Sequence, residues 1–259
     1  MENLQKIAML IDADNTQLNK LEAVIQEVTA LGRIVVKRAY GNWKKDALKR
    51  WESEIKRLAI KPEQQFDYVT GKNATDMALV IDTIELLHRE LYDGFVIVAS
   101  DSDYTPLAIH LREQGVYVLG VGEKQTPESF RKSCDEFLFL ENLDAPAAQN
   151  APKTKGESKS GQSKKSRRTK AEAEAVAKAE DIDEIHRLLH TAWLKYQDED
   201  GWAYVSFAGT FLKRAKSDFD ARTYGYAKLS LLIRAFPNLY RTKKEVGRAA
   251  GDILSYQCL

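Results

Sequence analysis

The stretch GFVIVASDSDYTPLAIHLREQGVYVLGV, residues 94–121, decides the fold. Gly94–Ala99 is a compact apolar run, the mark of a strand buried on both faces. Thr105–Gln114 has helical spacing and stops at Gly115, and Val116–Val121 is a second apolar run. A strand, a helix and a strand joined by short connections predict a parallel pair with a right-handed crossover. The same alternation extends in both directions. Strands are expected at Ile7–Ile11, Arg33–Ala39, Gln65–Val69 and Glu136–Leu140. Helices are expected at Leu18–Ala30, Lys44–Leu58, Thr75–Leu91 and Pro127–Ser133, the third burying Met77, Val80, Ile81, Ile84 and Leu87. The first part of the chain therefore reads as α/β, a mostly parallel sheet flanked by helices.

Acids stand where these strands end. Asp12 closes the first, Asp76 opens the long helix, and Asp101 and Asp103 follow the best strand in Ser100–Tyr104, SDSDY. The carboxyl ends of parallel strands share one rim, where open α/β sheets bind ligands. Singly, each acid has a plain explanation. Asp12 can cap a turn, although Asn15 suits the cap better and leaves Asp12 for a site. Asp76 is favoured in a first helical turn by the macrodipole. Two acids around Ser102, directly after a buried strand, are hard to explain as packing. Asp14 is expected to point away or support the turn, and Asp82 and Glu85 to face solvent or make helix pairs, with Asp82 a reserve ligand. Gathered carboxylates repel one another unless a cation sits among them, and an all-oxygen donor set suits Mg²⁺ or Mn²⁺. His88, His110, His186 and His190 all fall within helices, and no GxxxxGK[ST] or GxGxxG occurs. Cys134 and Cys258 have no metal-binding spacing and read as two ordinary thiols.

Composition divides the chain. Residues 1–150 carry 18 Lys and Arg against 24 Asp and Glu, and residues 151–259 carry 21 against 14. An acidic half that collects cations is thus joined to a half that prefers polyanions. Between them, APAAQNAPKTKGESKSGQSKKSRRTK lacks large apolar residues, so residues 145–179 are assigned to a basic disordered linker. Residues 180–259 carry an amphipathic helix at Ile182–Tyr196, further helices at Ala208–Ala215 and Tyr226–Ala235, and short strands near Leu239–Thr242 and Ala250–Gln257. That is a small winged-helix-like α+β build, common among nucleic-acid binders. Lys213, Arg214, Arg222 and Lys228, with Lys72 in the first half, are candidate phosphate contacts. Trp202, Tyr204, Tyr224 and Tyr226 are candidate stacking platforms for single-stranded or folded RNA. Trp193, Trp202 and Phe207 are better read as core, which leaves Tyr224 and Tyr226 as the surface pair. No signal peptide or bilayer-spanning run is visible, so a cytoplasmic location is expected.

With these residues in view, residues 4–143 resemble an NYN domain of the LabA type, in the PIN-like nuclease group. The likeness rests on LIDADN at Leu10–Asn15, KNATDMALVID at Lys72–Asp82 and SDSDYTPL at Ser100–Leu107. Residues 180–255 resemble a LOTUS (OST-HTH) domain through Asp200–Arg214 and Asp218–Pro237. The resemblance implies a metal-dependent ribonuclease in which Asp12, Asp76, Asp101 and Asp103 bind Mg²⁺ or Mn²⁺, with Asn15 and Ser100 in hydrogen-bonding roles. It places Ser102 where the group has glycine and Tyr104 where it has phenylalanine. The LOTUS likeness implies binding of RNA, including guanine-rich folded RNA, or protein docking in some relatives, and a second copy of the chain is a further candidate partner. The leading expectation is an RNA-cleaving enzyme with a tethered RNA-binding module. A non-catalytic RNA-binding or regulatory adaptor that keeps the nuclease fold is the alternative. An aspartyl phosphatase built on Asp12-Ala13-Asp14 fits less well, because it leaves the second half unexplained.

Overall fold

A computed structural model of the chain describes residues 4–67, 73–144, 165–246 and 252–259. Lys72 lies outside the described residues.

Alternating apolar runs build two units. The first contains strands β1 (Leu4–Asp12), β2 (Gly32–Gly41), β3 (Lys61–Gln64), β4 (Gly94–Val98), β5 (Tyr117–Gly122) and β6 (Glu136–Phe139). Helices α1 (Leu21–Leu31), α2 (Trp51–Leu58), α3 (Ala74–Leu87), α4 (Thr105–Glu113) and α5 (Glu128–Ser133) link them. The strands order as β3-β2-β1-β4-β5-β6 and every pairing is parallel. The period of two in β1 feeds two cores. Ile7, Met9 and Ile11 pack with Leu21 and Val28 of α1 and Trp51 of α2. Ala8 and Leu10 pack with Leu79 of α3, Leu107 of α4 and Phe130 of α5. A sheet covered on both faces explains why its strands read as unbroken apolar runs.

Three expectations are corrected here. The second helix begins at Trp51 and not at Lys44, with a 3₁₀ turn at Asp46–Leu48 before it. The third strand lies at Lys61–Gln64, before the expected Gln65–Val69, of which residues 68 and 69 fall outside the described residues. It is an edge strand, so polar residues and Pro62 are tolerated, and it pairs with β2 alone. The buried stripe of α3 is Thr75, Leu79, Thr83, Leu86 and Leu87, whereas Met77 and Ile81 are exposed. Polar Thr83 is buried because its hydroxyl donates to the Leu79 carbonyl at 2.7 Å, which a pattern of apolar residues cannot reveal.

A close approach fixes the packing of β5 on β6. A Cβ at Gly120 would stand 2.5 Å from Phe137 Cδ2 and 2.8 Å from Cys134 Sγ. Gly120→Ala is therefore expected to lower unfolding stability by about 1–3 kcal/mol, the usual cost of overpacking. Urea denaturation measures it, and an unchanged midpoint would show that the ring can yield.

The second unit holds α6 (Lys165–Tyr196), β7 (Ala203–Tyr204), α7 (Val205–Ala215), α8 (Leu229–Arg234), β8 (Tyr240–Val246) and β9 (Asp252–Cys258). Its antiparallel sheet has the order β7-β9-β8. Ile185, Leu189, Leu212, Leu232, Ile233 and Tyr256 centre its core. This is the small helix-plus-wing architecture expected. The helix α6 begins within the segment assigned to the linker, so the backbone of residues 165–179 is helical, as its Ala, Glu and Lys favour. Residues 145–164 lie outside the described residues. Phe207 is 50 % exposed and not core, while Trp193 and Trp202 are half-buried. Both cysteines are free, with burial pushing the Cys134 thiol up to about 12 and the Cys258 thiol up to about 11. Among the described residues no helix is long and apolar enough to cross a membrane.

Candidate metal centre

The order β3-β2-β1-β4-β5-β6 reverses direction between β1 and β4. Crossovers leave these two neighbours on opposite sides, which opens a crevice at their carboxyl ends. Asp12 is the last residue of β1, and Ser100–Asp103 follow β4. The tertiary fold thus brings the two strongest sequence signals to the same switch point.

Asp12 is fully buried. Its Oδ1 accepts the backbone N–H of Asp14 at 3.1 Å and of Asn15 at 3.2 Å. Its Oδ2 accepts from Asn15 Nδ2 at 2.9 Å. Asn15 accordingly does not cap the next helix as expected. The following 3₁₀ turn starts after Gln17 with no side-chain cap, and Asn15 instead holds Asp12. Burial, reinforced by repulsion from Asp76 and Asp14, pushes the Asp12 carboxyl up to about 6 against the Asn15 hydrogen bonds.

Asp76 lies in the first turn of α3 and is half-buried. Burial, followed by repulsion from Asp101, Asp103 and Asp14, raises its pKa. Asp101 accepts the Asp103 N–H at 3.0 Å and so caps the turn that carries Asp103. Asp103 Oδ2 accepts from Asn73 Nδ2 at 2.7 Å. Ser100 faces the neighbouring strand end, where its Oγ accepts the Glu123 N–H at 3.0 Å.

Three further side chains complete the site. Tyr104 is fully buried, and its hydroxyl donates to Asp76 Oδ1 at 2.7 Å and lies 3.3 Å from Asp12 Oδ2. Burial and the adjoining carboxylates hold its pKa far above the ordinary value, so the proton stays on the oxygen. Asp14 does not point away. Its Oδ2 accepts from Thr75 Oγ1 at 3.0 Å, and its Oδ1 is 3.2 Å from Lys45 Nζ. Tyr104 has only one local signal, its place after SDSD, and a buried aromatic ordinarily reads as core. The pairings of Asp14 and Lys45 have no local signal at all. Asp82, the reserve ligand, belongs elsewhere: it is paired with Arg38 at 2.5 Å and accepts from the Tyr40 hydroxyl.

The donors are all oxygens, which suits a hard divalent cation. Among the described residues no three or more His, Cys, Asp or Glu close together into a ready-made cage. An all-oxygen donor set is the chemistry that Mg²⁺ or Mn²⁺ takes beside the waters it keeps.

In the second unit, the cations and rings proposed for RNA are spread over several elements. Lys213 and Arg214 end α7, and Lys228 is exposed at the start of α8. Arg222 Nε donates to Asp220 at 2.9 Å. Tyr224 is half-buried, stacks on Phe219 with centroids 6.2 Å apart and donates to Asp181 at 3.0 Å. Tyr226 packs beside Phe236 at 6.5 Å. The more exposed rings are Tyr204 at 40 % and Phe207 at 50 %, with centroids 5.7 Å apart.

The NYN domain model matches residues 6–141 and the OST-HTH/LOTUS domain model matches residues 179–249. No curated protein matches the chain. A crystal structure of a protein of unknown function from Vibrio parahaemolyticus aligns at 17 % identity and a TM-score of 0.45, covering 55 % of this chain and 97 % of that one. A solution structure of an uncharacterized protein from Nitrosomonas europaea aligns at 26 % identity and a TM-score of 0.27, covering 45 % and 86 %. Carboxylates stand at the switch point of a parallel sheet, and the NYN match over that unit spans more than half of the chain: this chain belongs to the NYN domain family, with a PIN-like nuclease fold followed by an OST-HTH/LOTUS domain.

Proposed function

We propose that this protein is a divalent-metal-dependent endoribonuclease. Its domains would be residues 1–144 for cutting, 145–179 as a linker and 180–259 for holding RNA. One observation carries the reading: Asp12, Asp76 and the Ser100–Asp103 turn converge at the switch point, with a buried hydroxyl between two of the carboxylates. Asp12, Asp76, Asp101 and Asp103 would hold Mg²⁺ or Mn²⁺, and Asn15 and Ser100 would keep the strand ends in register. A bound divalent ion supplies Lewis-acid polarisation of a phosphodiester and lowers the pKa of water. The acidic rim repels a polyanion, so RNA affinity falls to the linker, where residues 151–179 carry 9 Lys and Arg against 3 Asp and Glu, and to the cations of the second domain. Candidate contacts there are Lys213, Arg214, Arg222 and Lys228, with Tyr224 and Tyr226 as the candidate stacking rings. The test is cleavage of labelled single-stranded, hairpin and guanine-rich RNAs in Mn²⁺, Mg²⁺ or EDTA. Cutting that EDTA abolishes supports the reading. Binding without cutting under every condition supports the adaptor.

Tyr104 is a positioning residue in this reading. Its single proton serves one carboxylate at a time and holds the Asp76 oxygen beside Asp12. Tyr104→Phe keeps the ring and removes the hydroxyl. Mn²⁺ affinity, measured by titration calorimetry, is expected to fall about tenfold, the scale for loss of a group that orients a ligand. Unchanged affinity would remove Tyr104 from the site.

A further inference from the structure

Carboxylates at the switch point repel RNA, so the strand to be cut needs cations and a stacking surface close by. This inference rests on the nuclease reading. The carboxyl ends of β1, β2 and β3 lie side by side, and neighbouring strands are about 4.8 Å apart. Behind β2 comes Asn42–Lys45, and behind β3 comes Gln65–Asp67. Lys45 Nζ lies 3.2 Å from Asp14 and 3.4 Å from Asp67, with the side chain 40 % exposed. Lys44 Nζ sits 4.9 Å over the ring of Phe66, and that residue is 51 % exposed.

This exposure is built into the fold and is not a loose end. The Trp43 N–H donates to Gln64 Oε1 at 3.1 Å, and Trp43 Nε1 donates to the Glu63 carbonyl at 3.1 Å. Asn42 Nδ2 donates to Asp67 at 3.1 Å, so the two loops are tied to each other. Phe66 with Lys44 over its ring, and Lys45 on the adjoining Asp67, match one nucleotide, with a base on the ring and its phosphates on the ammonium groups. It is far smaller than the roughly 800 Å² per partner of a stable protein interface.

We propose that Phe66, Lys44 and Lys45 form a single-stranded RNA subsite beside the carboxylates, stacking one base on Phe66 and holding the flanking phosphates. The subsite positions the strand next to Asp12 and Asp14 and offsets their repulsion.

The full chain, with Ca²⁺ in place of Mn²⁺, is photocrosslinked to single-stranded RNA carrying 5-bromouridine. The crosslink is expected within residues 42–67 and is lost in Phe66→Ala. In cleavage assays Phe66→Ala and Lys44→Gln should each raise KM about tenfold, the scale of one stacked base, with a smaller change in kcat. Phe66→Trp should restore KM because it returns a ring. Lys44→Gln should also flatten the slope of log affinity against log salt by about one. Crosslinks that map elsewhere, with KM unchanged in Phe66→Ala, would overturn the subsite while leaving the nuclease reading intact. If the wild type cuts no RNA, the nuclease reading fails by itself, and the map alone decides: a crosslink in 42–67 upholds the subsite and one elsewhere removes it.

Discussion

Asp101→Asn is expected to lower RNA cleavage by about 10²–10³-fold, the scale on which one preorganised electrostatic group acts. The substitution is mild for the fold. Asp101 caps the turn at Ser102–Tyr104 by accepting the Asp103 N–H at 3.0 Å, and an asparagine oxygen caps as well as a carboxylate. What is lost is one full negative charge at the rim. RNA affinity should therefore hold or rise, since a repelling charge is gone. Single-turnover cleavage in Mn²⁺ and binding of the same RNA at fixed salt separate the two effects. Cleavage at the wild-type rate would remove Asp101 from the site. Loss of binding and cutting together would point to misfolding, which a thermal melt detects.

The second large effect is on stability. Asp12→Asn is expected to stabilise the metal-free protein by about 3 kcal/mol at pH 7.5, from a carboxyl raised from 3.8 to about 6 at 1.36 kcal/mol per unit. The sign follows from the direction of the shift. A carboxyl whose pKa is higher folded than unfolded binds its proton more tightly in the native state. Its favourable contribution is complete below pH 3.8 and is lost as pH rises through about 6. Above that, wild type keeps a buried charge facing Asp76 and Asp14, whereas asparagine stays neutral throughout. The gap between variant and wild type should thus be near zero at pH 3.5, open between pH 4 and 6, and level off above. Saturating Mn²⁺ should narrow it, because an ion that binds the folded wild type stabilises that state. Urea denaturation at several pH values gives the curve. A gap that widens towards acid would mean that Asp12 is held as a carboxylate by a partner other than those described.

These effects show what local sequence can and cannot disclose. The acids were legible because each stands next to a strong local signal: Asp12 after a buried apolar run, Asp101 and Asp103 after GFVIVA, Asp76 in a first helical turn. The edge strand Lys61–Gln64 was not, because its outer side needs no apolar residue. The face of α3 was misread because buried Thr75 and Thr83 look polar, while exposed Met77 and Ile81 look like core. Satisfaction of a threonine hydroxyl by its own helix is a matter of geometry, invisible to a hydropathy pattern. In the second unit, Phe207 read as core and is exposed, because a short amphipathic helix carries more aromatic surface than its small core can bury.

The sequence by itself determined that this chain alternates strands and helices, that carboxylates lie at strand ends and that a basic second unit follows an acidic first. Those features depend on period, composition and immediate neighbours, which the backbone reads within a few residues. Only the tertiary structure decided that β1 pairs with β4, and so that Asp12 and the Ser100–Asp103 turn share one crevice. It alone set the Tyr104 hydroxyl against Asp76, 28 residues away in sequence, and aimed Asp14 at Thr75, 61 residues away. Those contacts arise from strand order and from which face of a helix is buried, and both are set by the packing of the whole sheet.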